Sequence, residues 1–104
     1  MKLDSAGEWE YYYSRIATNK EKIKNVEAHK RFELLPKSEY CGLKLPAAHY
    51  TPDFVVEYTD GTVEVVEVKS KFTRKMQRDY IYRRRLFIDL ICRPNGWRFV
   101  EVIK

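Results

Sequence analysis

A chain of 104 residues, 44% hydrophobic and 14% aromatic, is long enough for one modest core, too short for two domains, and not disordered by composition. No apolar run reaches the length of a membrane span, and Met1-Lys2-Leu3-Asp4 lacks a signal peptide's apolar stretch, so a cytoplasmic domain with no membrane contact is expected. The formal net charge of +5 is uneven: Lys69 to Arg85 holds eight basic residues against the single acid Asp79, a segment suited to a polyanionic partner.

Asp4-Ser5 with Glu8 three residues beyond the Ser reads as a helix start, Ser5 as N-cap and Glu8 as capping-box acid. Trp9, Tyr12, Tyr13 and Ile16 follow at helical spacing and are expected to face the core, with Glu8 at the border of that face. The Lys-rich stretch Thr18 to Asn25 reads as a turn. From Val26 the apolar Val26, Ala28, Phe32 and Leu34 alternate with polar residues, Lys30 being the one exception, which predicts a strand ending before Pro36. Lys37 to His49 holds Gly42 and Pro46 without a steady period and is expected to be a loop near the substrate.

Tyr50 to Lys69 carries the strongest local signal. Two runs rich in Val, Phe and Tyr flank Asp60-Gly61, which predicts an antiparallel hairpin. On its second strand the period of two puts Glu67 and Lys69 on one face, and hairpin closure brings Asp53 to the same end of the sheet. Two carboxylates and an ammonium then converge. A Mg2+ ion needs few protein ligands beyond one or two carboxylates, and Lys69 is placed to orient a water or hold a phosphate. The competing reading is a salt bridge between neighbours on a half-exposed strand.

Past Phe72, Thr73 is expected to cap a second helix running to about Ile91. On a helical projection Met76, Tyr80, Leu86, Phe87, Leu90 and Ile91 share one face, Arg74, Arg78 and Arg85 form a basic ridge opposite, and Arg83, towards the apolar side, could pair with Asp79 or reach the active-site edge. Pro94-Asn95-Gly96 marks a turn before a last alternating strand from Trp97 to Ile103. Cys41 and Cys92 match no metal spacing and read as free thiols. His29 and His49 read as structural or solvent-facing, His49 being the one near enough in sequence to Asp53 to approach the site. The sum is an α/β fold with a mixed sheet of about four strands flanked by two helices, the last strand parallel to a central one.

Pro52-Asp53, thirteen intervening residues and Glu67-Val68-Lys69 together resemble the signature of the PD-(D/E)XK nuclease superfamily. Ser5-Ala6-Gly7-Glu8 at the first helix, a strand ending near Pro36, and Tyr50-Thr51-Pro52-Asp53-Phe54 extend the likeness to small phage-encoded endonucleases, including those that resolve Holliday junctions. Ser70 stands where such phage proteins commonly have Gly. The resemblance implies a restriction-endonuclease-like core and Mg2+-dependent DNA cleavage, with Mn2+ as a substitute. It implies metal positions at Glu8, Asp53, Glu67 and Val68, with Lys69 as the water-orienting group, in a bacterial host cell if the chain is phage-encoded. Lys71, Arg74, Lys75, Arg78, Arg83, Arg84 and Arg85 are the expected DNA contacts, and a homodimer, with Tyr11 among its exposed aromatics, is the expected assembly. The alternatives are a non-catalytic nucleic-acid-binding module using the basic helix, or a restriction-type or RNA-directed nuclease.

Overall fold

The computed structural model describes residue 3, residues 5–70 and residues 79–103. The expected Thr73 cap, Met76 and the basic positions Lys71, Arg74, Lys75 and Arg78 lie outside the described residues.

Helix α1 is Ala6–Tyr11, continued by a π turn at Tyr12–Ile16 and a 3-10 stretch at Ala17–Lys22. The strands that follow are β1 Ile23–Ala28, β2 Phe32–Leu35, β3 Ser38–Tyr40, β4 Leu43–Leu45, β5 Ala48–Tyr50, β6 Phe54–Tyr58 and β7 Val63–Lys69. Then come α2 Tyr80–Phe87, a second π turn at Ile88–Cys92, the short helix α3 Arg93–Asn95, and β8 Arg98–Ile103. Four strands make the central sheet in the order β1-β6-β7-β8. The first two pairings are antiparallel and β7–β8 is parallel, so the α/β core and its parallel closing strand are as the sequence indicates.

The hairpin closes over Thr59, Asp60 and Gly61. Gly61 adopts φ +91°, a region that a residue without Cβ enters freely, and Asp60 Oδ1 accepts from the Thr62 N–H and hydroxyl at 3.0 and 2.7 Å. Both central strands are buried on their two faces, as alternation along each requires. Phe54, Val56, Val66 and Val68 pack with Tyr11 and Ile16 on one side. Val55 and Val65 pack with Leu34, Tyr50, Tyr80, Phe87 and Cys92 on the other. The first core sits under α1 and the second under α2 and β5.

Four local expectations are corrected. The strand expected from Val26 to Leu34 is two strands in different sheets, β1 pairing with β6 and β2 with β5. The break is at His29, whose φ of +56° ends the extended backbone, and Lys30, the odd charge on the apolar side of the alternation, sits just beyond it. The stretch from Lys37 to His49 is no loop. It folds into the β3–β4 hairpin across Cys41 and Gly42, both at positive φ (+50° and +81°), and then β5. Positive φ at both turn residues suits the twist of a two-residue hairpin, and Cys at the first of them gives little warning of it.

Each helix keeps part of the core face that a 3.6-residue period predicts, with Ile16, Tyr80 and Phe87 buried and Tyr12 and Ile91 packed against the cores, and departs from it in the rest. Tyr11 and Ile16 are buried, whereas Trp9 and Tyr13 are exposed and stack on each other at 5.5 Å. Likewise Phe87 and Cys92 are buried and Leu86 and Leu90 are exposed. In each helix a π turn adds a residue to the winding, so side chains five apart align where three or four would otherwise. Tyr11 is therefore a core residue and not a contact surface for a second chain.

Candidate metal centre

The register of β6 on β7 pairs Phe54 with Val66, so Asp53, one residue earlier, stands opposite Glu67. Asp53 Oδ2 accepts the Val68 N–H at 2.6 Å, taking the acceptor's place where the ladder ends. Its position is thus set by the backbone of the strand that carries Glu67 and Lys69. Ser5, Gly7, Glu8, Asp53, Val68, Lys69 and Ser70 line one cavity of about 400 Å³. The helix start, the strand opening and the end of β7 meet there, as the sequence leads one to expect.

Glu8 reaches the cavity because the N-cap fixes the first turn of α1. Ser5 Oγ accepts the Glu8 N–H at 3.2 Å and its hydroxyl lies 3.2 Å from Glu8 Oε2. The carboxylate is buried, and its other oxygen lies 2.6 Å from His29 Nε2. Capping and site geometry are one arrangement here.

Glu67 is 3% exposed and accepts the Tyr50 hydroxyl at 2.5 Å. Burial, and then the neighbouring Asp53 carboxylate, push its pKa up to about 8, against the pull of Tyr50 and Lys69. Two carboxylates sharing a poorly solvated site cannot both ionise cheaply, which favours a proton on one of them. Burial and the same Glu67 charge drive the Tyr50 hydroxyl well above its ordinary range, leaving it a hydrogen-bond donor throughout. Lys69 Nζ lies 4.8 Å over the Tyr80 ring, and Tyr80 donates to Glu101 at 2.7 Å. Lys69 thus has an aromatic wall on one side and the cavity on the other.

His29 is the site residue that sequence reasoning missed. Its N–H donates to the Asp53 carbonyl at 3.1 Å, and one ligand atom each from Glu8, His29 and Asp53 lie within 4.8 Å of one another. No periodicity announces a His at a strand break. The nearest signal is the faulty alternation at Lys30. His49 lies instead on β5, with Nδ1 3.1 Å from Arg31, and takes no part.

The basic segment divides. Arg83 pairs with Asp79 at 3.3 Å, as expected. Arg84 is half-buried, donating to Glu101 at 2.7 Å and lying 5.2 Å over Tyr80, so it braces β8 against α2 and is not an open phosphate contact. Arg85 is exposed but bonds Asp89 at 2.6 Å, and Arg93 shares that acid at 2.7 Å. The ridge is therefore not free of acids at its Arg85 end.

The whole stretch from residue 1 to residue 94 matches the family described as "Protein of unknown function (DUF1064)". The chain belongs to that family. No curated protein matches it, and no solved structure matches it. For this DUF1064 member the donor set is the guide to chemistry: the carboxylates of Glu8 and Asp53 line one cavity and suit a hard divalent cation, and the burial and neighbouring Asp53 charge that raise the Glu67 pKa are what a nearby cation would offset.

Proposed function

We propose that the chain is a divalent-metal-dependent DNA endonuclease of PD-(D/E)XK type, hydrolysing phosphodiester bonds with Mg2+. The observation that carries this is the meeting of Glu8, Asp53 and Lys69 in one cavity, with buried Glu67 against Asp53. In the proposal Glu8, Asp53 and Glu67 hold the ion, with Val68 at the same strand end. A bound divalent ion lowers the pKa of an attacking water and offsets charge on the phosphoryl group. Lys69, positioned by Tyr80, orients that water or the scissile phosphate, and Tyr50 fixes the rotamer of Glu67. Branched DNA is the proposed substrate by resemblance alone. The working form is a homodimer, because two symmetric cuts from one site per chain call for two-fold related sites.

The test is one assay on plasmid, linear, single-stranded and four-way-junction DNA, with an RNA arm, in Mg2+ or Mn2+. Cleavage that stops in excess chelator is the expected result. Binding without cleavage on every substrate would return the chain to a non-catalytic nucleic-acid-binding module, and cleavage of RNA alone would change the target.

The same preparations test the basic helix. Arg85 already holds Asp89, so Arg85→Ala should change the slope of log affinity against log salt by well under the roughly 0.9 of a full counterion. Arg78→Ala should flatten it by close to that amount if Arg78 meets a phosphate. Equal effects from the two variants would refute the distinction.

A further inference from the structure

We propose that His29 is itself a metal ligand and that this site therefore prefers Mn2+ to Mg2+. The inference rests on the metal-dependent reading above and deepens it by adding a ligand and placing Mn2+ ahead of the Mg2+ proposed there. Three donors converge within 4.8 Å: a carboxylate oxygen of Glu8, an imidazole nitrogen of His29 and a carboxylate oxygen of Asp53. Each comes from a different part of the chain.

Backbone and side-chain contacts both place His29 there, and the Nε2 contact with Glu8 is one that a metal on that nitrogen would replace. The His29 backbone N–H bonds the Asp53 carbonyl at 3.1 Å, and Nε2 lies 2.6 Å from Glu8 Oε1. Its φ of +56° is one that non-Gly residues adopt rarely, with Asn, Asp and His tolerating it best. The turn of the backbone at this point swings the imidazole to the cavity end of the sheet instead of letting β1 run on. Glu67, by contrast, is buried with one oxygen bonded to the Tyr50 hydroxyl, so the donors nearest one another are the mixed set.

Ligand type then decides the ion. Mg2+ favours all-oxygen octahedral surroundings and gives up its waters reluctantly, whereas imidazole suits the later first-row transition ions, and Mn2+, at the start of that series, is also suited by carboxylates. One nitrogen beside two carboxylates keeps enough oxygen character for Mn2+ and penalises Mg2+. Among the described residues, no thiol joins the set, and Cys92 lies in the other core.

The experiment reads the metal directly in the full chain. With Mn2+ as probe, pulsed electron paramagnetic resonance should show a directly bound nitrogen in the parent, and selective 15N-histidine labelling should shift that coupling. The chain has two histidines, so His49→Gln should leave the signal intact and His29→Asn, which suits the positive φ, should remove it. Calorimetric titration of each ion should show the ratio of Mg2+ to Mn2+ dissociation constants falling by roughly tenfold or more in His29→Asn. Mn2+ binding without a bound nitrogen in the parent, a measurement that needs no variant, would overturn the role of His29 and leave the carboxylate site standing. Failure of both ions to bind would overturn this inference and the nuclease reading together. A nitrogen signal with an unchanged ion ratio in the variant would overturn the claimed preference.

Discussion

Asp53→Asn and Lys69→Ala should each reduce metal-dependent cleavage by roughly a thousandfold or more while leaving DNA affinity within a few-fold of the parent. The two fail for different reasons. Asparagine retains an oxygen to accept the Val68 N–H, which Asp53 takes at 2.6 Å, so the end of β7 should stay in place. What it loses is the net charge that holds a hard cation. Lys69→Ala keeps all three carboxylates and removes only the ammonium over Tyr80, so metal binding should survive and turnover should not. Titrating Mn2+ into each variant beside the cleavage assay separates the two. Cleavage at parental rate in both, or cleavage in excess chelator, would defeat the proposed mechanism.

How far the sequence reveals this arrangement depends on the range of the contacts involved. The β6–β7 hairpin rests on signals a few residues apart, Asp60-Gly61 and two alternating runs, and it carries Asp53, Glu67 and Lys69 into one place by register alone. Ser5 and Glu8 are equally local, being one helix start. What escapes is whatever depends on a change of winding or direction. The π turns at Tyr12–Ile16 and Ile88–Cys92 shift part of the buried face of each helix, and composition does not encode a single inserted residue in a helical ladder. The left-handed residue at His29 splits one expected strand into two and delivers the missed site residue in the same step. The role of Arg84 is hidden for a third reason: its partner Glu101 is seventeen residues away on β8, and no pattern within a helix reports that.

Glu67→Gln should make the metal-free chain more stable at neutral and alkaline pH, and abolish cleavage. The folded-state pKa of Glu67, pushed up to about 8 by burial and by Asp53, lies well above the unfolded value of about 4.3. In that interval the folded chain binds more protons than the unfolded one, so stability declines as pH rises from about 4.3 towards 8. A tenfold difference in proton affinity between the two states corresponds to about 1.4 kcal/mol, so by about pH 8.5 the penalty in the parent is on the order of a few kcal/mol. Glutamine mimics the protonated acid, with an N–H for the Asp53 carboxylate and a carbonyl oxygen for the Tyr50 hydroxyl that Glu67 accepts at 2.5 Å, and it does not titrate. Urea midpoints of both proteins in chelator should therefore nearly coincide at about pH 5 and separate progressively up to about pH 8.5, the variant being the more stable. Saturating Mn2+ should reverse the order, because the ion, with Glu67 among its proposed ligands, binds the folded parent more tightly than the variant and displaces the proton. A variant that loses stability with pH in parallel with the parent would show that Glu67 is already ionised in the folded chain. The site would then not hold the strained pair of carboxylates that a cation is proposed to relieve.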